Sequence, residues 1–121
     1  MKIMNGTDII EISRIQKDIE TLGEKFFNRI FTENEIKYCE KKKNQKYQSY
    51  AARFAAKEAI YKALSEYIGD KYSWKDFEIL NDENGKPQAK LGINIDELDS
   101  ISITLSHCKE YAVANVLAIY K

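Results

Sequence analysis

A chain of 121 residues, 44% hydrophobic and 31% charged, has room for one domain with a single core, and residues 1–121 are read as such. Its 19 basic and 19 acidic residues cancel, which argues against a broad electrostatic grip on nucleic acid. No apolar run is long enough to span a bilayer and the N-terminus lacks a signal-peptide core, so the expectation is a cytoplasmic protein with no membrane partner.

In chain order, Lys2 to Met4 predicts a short strand running into a turn at Asn5-Gly6-Thr7-Asp8. Ile12, Ile15, Ile19 and Leu22 recur at helical spacing, with Arg14, Lys17 and Asp18 facing away, and Gly23 ends or bends that helix. Phe26, Phe27 and Ile30 suggest a second short helix. Thr32-Glu33-Asn34-Glu35 has the form of a capping box and starts a third, which runs out in the cationic stretch Lys41 to Lys46. Tyr50 to Leu64 is the longest helical stretch. Ala52, Ala56, Ala59, Ile60, Ala63 and Leu64 form its apolar stripe, Arg53 and Lys57 sit at the edge, and Glu58 and Lys62 fall on the opposite side near Ala51 and Ala55. Gly69 supplies the stop. Trp74 to Leu80 reads as a strand, Asn81 to Gly85 as a turn, and Lys86 to Leu91, with the only proline, as an edge strand. Ile93 to Asp99 reads as a loop with a helical turn. Ile101, Ile103 and Leu105 alternate with polar residues and pair with Tyr111 to Tyr120 in a hairpin, with His107 at the tip. Helices first and strands second favour an α+β fold. The two cysteines, Cys39 and Cys108, lie far apart and read as free thiols in a reducing compartment.

Three positions stand out as chemistry. Asp8 is expected where a strand gives way to a turn, Glu58 projects from the long helix, and His107 is the only histidine. Taken singly each has an ordinary account: a helix cap, an exposed Glu–Lys pair at i, i+4, and a histidine in a turn. Their setting ties them together. Gly6-Thr7-Asp8-Ile9-Ile10-Glu11-Ile12-Ser13-Arg14-Ile15, Phe27-Asn28-Arg29-Ile30-Phe31-Thr32-Glu33-Asn34-Glu35, Arg53-Phe54-Ala55-Ala56-Lys57-Glu58-Ala59 with Lys62-Ala63, Phe77 to Asp82 with Gly85-Lys86-Pro87, and Ser106-His107 with Lys109-Glu110-Tyr111-Ala112 follow one another across nearly the whole chain. In that order and spacing the sequence resembles the short, single-domain holo-acyl-carrier-protein synthases, a family of 4′-phosphopantetheinyl transferases.

The resemblance implies an α+β fold, with a small antiparallel sheet packed on a long central helix and shorter companions. It implies transfer of the phosphopantetheine arm of coenzyme A to a serine of an apo acyl carrier protein, with release of adenosine 3′,5′-bisphosphate, in the service of fatty-acid synthesis. Such a reaction is mostly a matter of neutralising and positioning charge at phosphorus. Asp8 and Glu58 match the family's Mg²⁺ ligands, and one or two carboxylates is the number this ion commonly takes from protein. Lys62 matches the lysine at the pyrophosphate and His107 the histidine at the coenzyme's phosphates; with Glu58 they form the implied catalytic set. Arg53 and Lys57 are candidates for the remaining phosphates, and Gly85 and Pro87 for the border of the adenine. The acceptor's proton goes to Glu58 directly or through a metal-bound water, and the resemblance leaves both open. Arg14 matches an arginine that grips the carrier, Lys17 adds to that patch, and Lys25 and Arg29 lie further along. Cys108 stands where the family more often has threonine. Relatives of this length form homotrimers with active sites between adjacent subunits. The rival readings are another two-carboxylate phosphotransferase or hydrolase acting on coenzyme A or a nucleotide, and a nucleotide-binding module without catalysis.

Overall fold

Alternation of facing runs unbroken from Lys2 to Glu11, and a computed structural model describing all 121 residues makes this one ten-residue strand, β1 (Lys2–Glu11). It pairs antiparallel along its whole length with β5 (Tyr111–Tyr120), Lys2 opposite Tyr120 and Glu11 opposite Tyr111. The turn expected at Asn5-Gly6-Thr7-Asp8 is therefore absent. Gly6 lies opposite Val116 and Asp8 opposite Ala114, both in mid-strand. The glycine is required by a neighbouring helix rather than by a turn.

On the other side of β5 runs β4 (Leu98–His107), giving a three-stranded sheet in the order β1–β5–β4. His107 pairs with Ala112, so the hairpin tip is the turn closed by the Cys108 N–H on the Tyr111 carbonyl, one place beyond the expected histidine. A separate two-stranded piece joins β2 (Phe77–Asn81) to β3 (Pro87–Leu91). The expected strand at Trp74 begins later, because Ser73 and Asp76 form a reciprocal cap on a single 3₁₀ turn over Trp74–Asp76.

The helices follow their sequence signals closely. α1 (Ile12–Leu22) buries Ile12, Ile15 and Ile19 and stops at Gly23, whose φ of 56° suits glycine. α2 (Glu24–Ile30) buries Phe26 and Ile30. α3 (Glu33–Glu40) starts at the capping box: the Glu35 N–H donates to Thr32 Oγ1 and the Thr32 N–H to Glu35 Oε1. A short 3₁₀ turn at Lys43–Gln45 leads into α4 (Lys46–Ile68), longer at both ends than the periodic stretch. The expected apolar stripe of α4 is buried, but so are Ala51, Ala55, Arg53 and Lys57. α4 has no fully wet side, because α1, α3, β2 and the main sheet all pack on it. The outcome is the expected α+β architecture, a small antiparallel sheet against a long helix.

Candidate active site

The inner face of β1 presents Gly6, Asp8 and Ile10 toward α4, two residues apart as the pleat requires. Opposite Asp8, α4 presents Glu58 and, one turn later, Lys62. The Lys62 ammonium donates to the Thr7 carbonyl at 2.9 Å and lies 3.4 Å from Asp8 Oδ1. Burial lifts the pKa of Glu58 above the ordinary carboxylate value, and the neighbouring charge of Asp8 adds to the lift. Lys62 and Arg14 oppose it. Two carboxylates that feel each other, with one half-exposed ammonium between strand and helix, form a set of hard oxygen donors. That set fits a small divalent cation better than a soft metal, and Asp8 and Glu58 are the residues that would hold it.

A second group gathers on the far flank of α4. Arg53 is only 3% exposed. Its Nε donates to the Ile79 carbonyl at 3.1 Å, Nη1 to Ser49 Oγ at 3.0 Å and Nη2 to Asn81 Oδ1 at 2.6 Å, and its guanidinium lies over the Tyr38 ring. No carboxylate lies within ion-pair reach of it. The Asn81 side-chain amide in turn donates to the Gly85 carbonyl, fixing the turn before Pro87, where Gly85 has φ of 82°. Arg53, Gly85, Pro87 and His107, with Tyr38 and Lys42, line one cleft of about 250 Å³. A buried cation balanced by no anion, facing an open cleft, suits an anionic ligand.

The sequence-predicted residues thus fall into two groups rather than one. Asp8, Glu58 and Lys62 meet beside β1, while Arg53, Gly85, Pro87 and His107 meet beside β4, and β1 and β4 are opposite edges of the sheet. On α4 itself Glu58 and Arg53 are five residues apart, about 140° around the axis. Lys57 joins neither group. Its ammonium is buried against Glu35 Oε1 at 2.8 Å and donates to the Trp74 and Phe77 carbonyls, so no proton is left for a phosphate. The expectation that it contacts the coenzyme is corrected: Lys57 holds the start of β2 onto α4.

Arg14 faces Glu58 closely enough to oppose its pKa rise, and it also borders a second hollow, of about 450 Å³. Lys25 and Arg29 share its rim, and Phe26, Phe54 and Trp74 form its floor. Lys17 is exposed on α1 and does not line it. Tyr38, Ser49 and Asn81 escaped the sequence reading. Tyr38 and Asn81 meet Arg53 from distant elements and Ser49 from one turn earlier on α4, so their part depends on Arg53, whose burial no local signal marks.

The model of the 4′-phosphopantetheinyl transferase superfamily matches residues 4–116. The chain is 52% identical over 120 residues to a holo-[acyl-carrier-protein] synthase of Ruminiclostridium cellulolyticum, covering 94% of this chain and 90% of that protein. A crystal structure of the Bacillus anthracis holo-(acyl-carrier-protein) synthase in complex with CoA (3′,5′-ADP) superposes with a TM-score of 0.79 at 40% identity, over 95% of this chain and 94% of that one. The Helicobacter pylori enzyme in complex with coenzyme A gives 0.82 at 33% identity, over 96% and 100%. The chain belongs to the 4′-phosphopantetheinyl transferase superfamily and, within it, to the holo-[acyl-carrier-protein] synthases.

Proposed function

We propose that this enzyme transfers the 4′-phosphopantetheine arm of coenzyme A to a serine of an apo acyl carrier protein, with Mg²⁺, and releases adenosine 3′,5′-bisphosphate. The observation that carries this reading is the convergence of Asp8, Glu58 and Lys62 from two elements far apart in sequence. A Mg²⁺ ion held by Asp8 and Glu58 would neutralise charge on the pyrophosphate of the coenzyme. Lys62, half exposed and anchored on Thr7 and Asp8, offers its remaining proton to a phosphate oxygen. Arg53 contributes a fixed positive charge to the cleft, His107 donates there to the phosphate region, and Gly85 and Pro87 border the base. Glu58 would accept the proton of the attacking serine, directly or through a metal-bound water.

The separation of the two groups supports a composite site. With the two groups on opposite flanks of α4 and opposite edges of the sheet, the arrangement that fits is one in which the carboxylates of one subunit face the cleft of a neighbour, in a homotrimer as the family resemblance implies. The outer face of the main sheet supports such an assembly. It carries Ile3, Ile9 and Tyr111, respectively 54%, 62% and 43% exposed, beside Val113, Leu117 and Ile119. The rim of Arg14, Lys25 and Arg29 over an aromatic floor suits an acidic carrier protein, with Lys17 extending the positive charge.

The test is direct. Apo acyl carrier protein, coenzyme A, Mg²⁺ and the enzyme are incubated together and the carrier is weighed by mass spectrometry. Gain of one phosphopantetheine, abolished by chelator, is expected. An unchanged carrier mass would refute the assignment, and a gain that survives chelation would refute the role of the metal.

A further inference from the structure

Gly6 lies on the inner face of β1, where the strand crosses α4. A methyl carbon built there would fall well inside contact distance of the Ala59 carbonyl oxygen, with the carbonyl carbon at 2.9 Å and the Ala63 amide nitrogen at 3.1 Å. Those two groups are partners in one helical hydrogen bond, so the methyl would strike the backbone of α4, which has no side chain to swing aside. Any side chain at position 6 forces the strand to back away from the helix. Gly23, Gly69 and Gly85 carry positive φ and Gly92 meets only ordinary contacts, so Gly6 alone is demanded by proximity.

The helix residues that meet Gly6 are the sequence neighbours of the chemistry. Ala59 follows Glu58 and Ala63 follows Lys62, while Asp8 is the next residue on the same face of the strand as Gly6. The gap set at Gly6 is therefore the gap across which Asp8 faces Glu58 and Lys62. We infer that Gly6 is a positioning residue: it fixes the separation of the two carboxylates at the span that a small, octahedral divalent cation requires. This rests on the metal-binding part of the proposed function. Mg²⁺ bonds oxygen at about 2.0–2.1 Å in near-ideal octahedral geometry, whereas Ca²⁺ accepts about 2.3–2.6 Å in flexible arrays. A widened gap therefore penalises the smaller ion more.

The experiment titrates Mg²⁺ and, separately, Ca²⁺ into the enzyme with coenzyme A present, by calorimetry. In Gly6→Ala, Mg²⁺ affinity is expected to fall about ten- to a hundred-fold, the range found when groups that orient metal ligands are altered, and Ca²⁺ affinity to fall markedly less. Adding Asp8→Glu, whose longer side chain spans a wider gap, should recover part of the Mg²⁺ affinity, which a purely structural lesion would not allow. Ile103→Ala, a cavity at the opposite edge of the sheet, supplies a destabilised control with unchanged ion preference. Should Gly6→Ala fail to fold, Asp8→Glu alone is the second variant: with Gly6 holding the gap, the longer side chain overreaches, and Mg²⁺ affinity is expected to fall more than Ca²⁺ affinity. Unchanged Mg²⁺ affinity, or equal losses for both ions without rescue, overturns the spacer role while leaving the proposed function intact. Wild-type enzyme that binds neither ion overturns both.

Discussion

At Glu58, burial and the charge of Asp8 favour the protonated carboxyl in the folded chain, against the weaker opposition of Lys62 and Arg14. A carboxyl whose folded pKa is raised contributes stability at pH values below its unfolded pKa and loses it as pH climbs through the folded one. Metal-free wild type should therefore lose thermal stability relative to Glu58→Gln as pH rises from about 4 to about 7, read by paired melting curves. Mg²⁺ needs the ionised form, so its affinity should fall on acidification at a higher pH than an ordinary carboxylate would dictate. A pH-independent affinity would remove Glu58 from the ligand set. The buried Lys57–Glu35 pair behaves differently: Lys57→Met strands a carboxylate in the core and should cost about 3–5 kcal/mol in denaturant unfolding. The two thiols separate as well. Burial raises the pKa of Cys39 to about 11, while Cys108 is exposed. Native enzyme at neutral pH should accept one iodoacetamide, at Cys108, and a second only on unfolding.

Among the elements, the β2–β3 turn depends on a chain of contacts, Arg53 to Asn81 and Asn81 to the Gly85 carbonyl, that shapes one wall of the cleft. Removing it in Asn81→Ala should weaken coenzyme A by about 1 kcal/mol, roughly fivefold in Kd, without a comparable loss of folding stability. An unchanged Kd would mean that Asp82, which accepts from the Asn84 and Lys86 amides, holds the turn alone. Sequence and structure agree best where the signal is local. The capping box at Thr32, the stops at Gly23 and Gly69 and the Asn81–Gly85 turn need only a few neighbouring residues to form. The disagreements arise where a distant partner decides. Asn5-Gly6 has the composition of a turn, yet the glycine serves the approach of α4, fifty residues away in sequence. Arg53 and Lys57 look like surface cations at a stripe edge, because nothing near them reveals Ile79, Asn81 or Glu35. Asp8, Glu58 and Lys62 were legible as chemistry only through the order of motifs, since a carboxylate in a strand and another in a helix carry no common local pattern.

Taken whole, the molecule places its carboxylates and its cation-lined cleft on opposite flanks of one helix, beside a sheet whose outer face carries the exposed Ile3 and Ile9 among polar residues. Ile9→Asp, a charge set into that face, should shift the enzyme toward monomers in light scattering and abolish transfer together. Mixing two inactive variants offers a sharper check. In the proposed composite site Glu58→Gln spoils one half and His107→Ala the other, so assemblies reformed from an equal mixture should recover about a quarter of wild-type activity, the share of interfaces that join two intact halves. No recovery would place all the chemistry within one chain. A ligand that spans a junction between subunits is also a fastener. By mass action, coenzyme A should raise the temperature at which the subunits part, and dilution should slacken its grip, so that its apparent Kd depends on how much enzyme is in the cuvette.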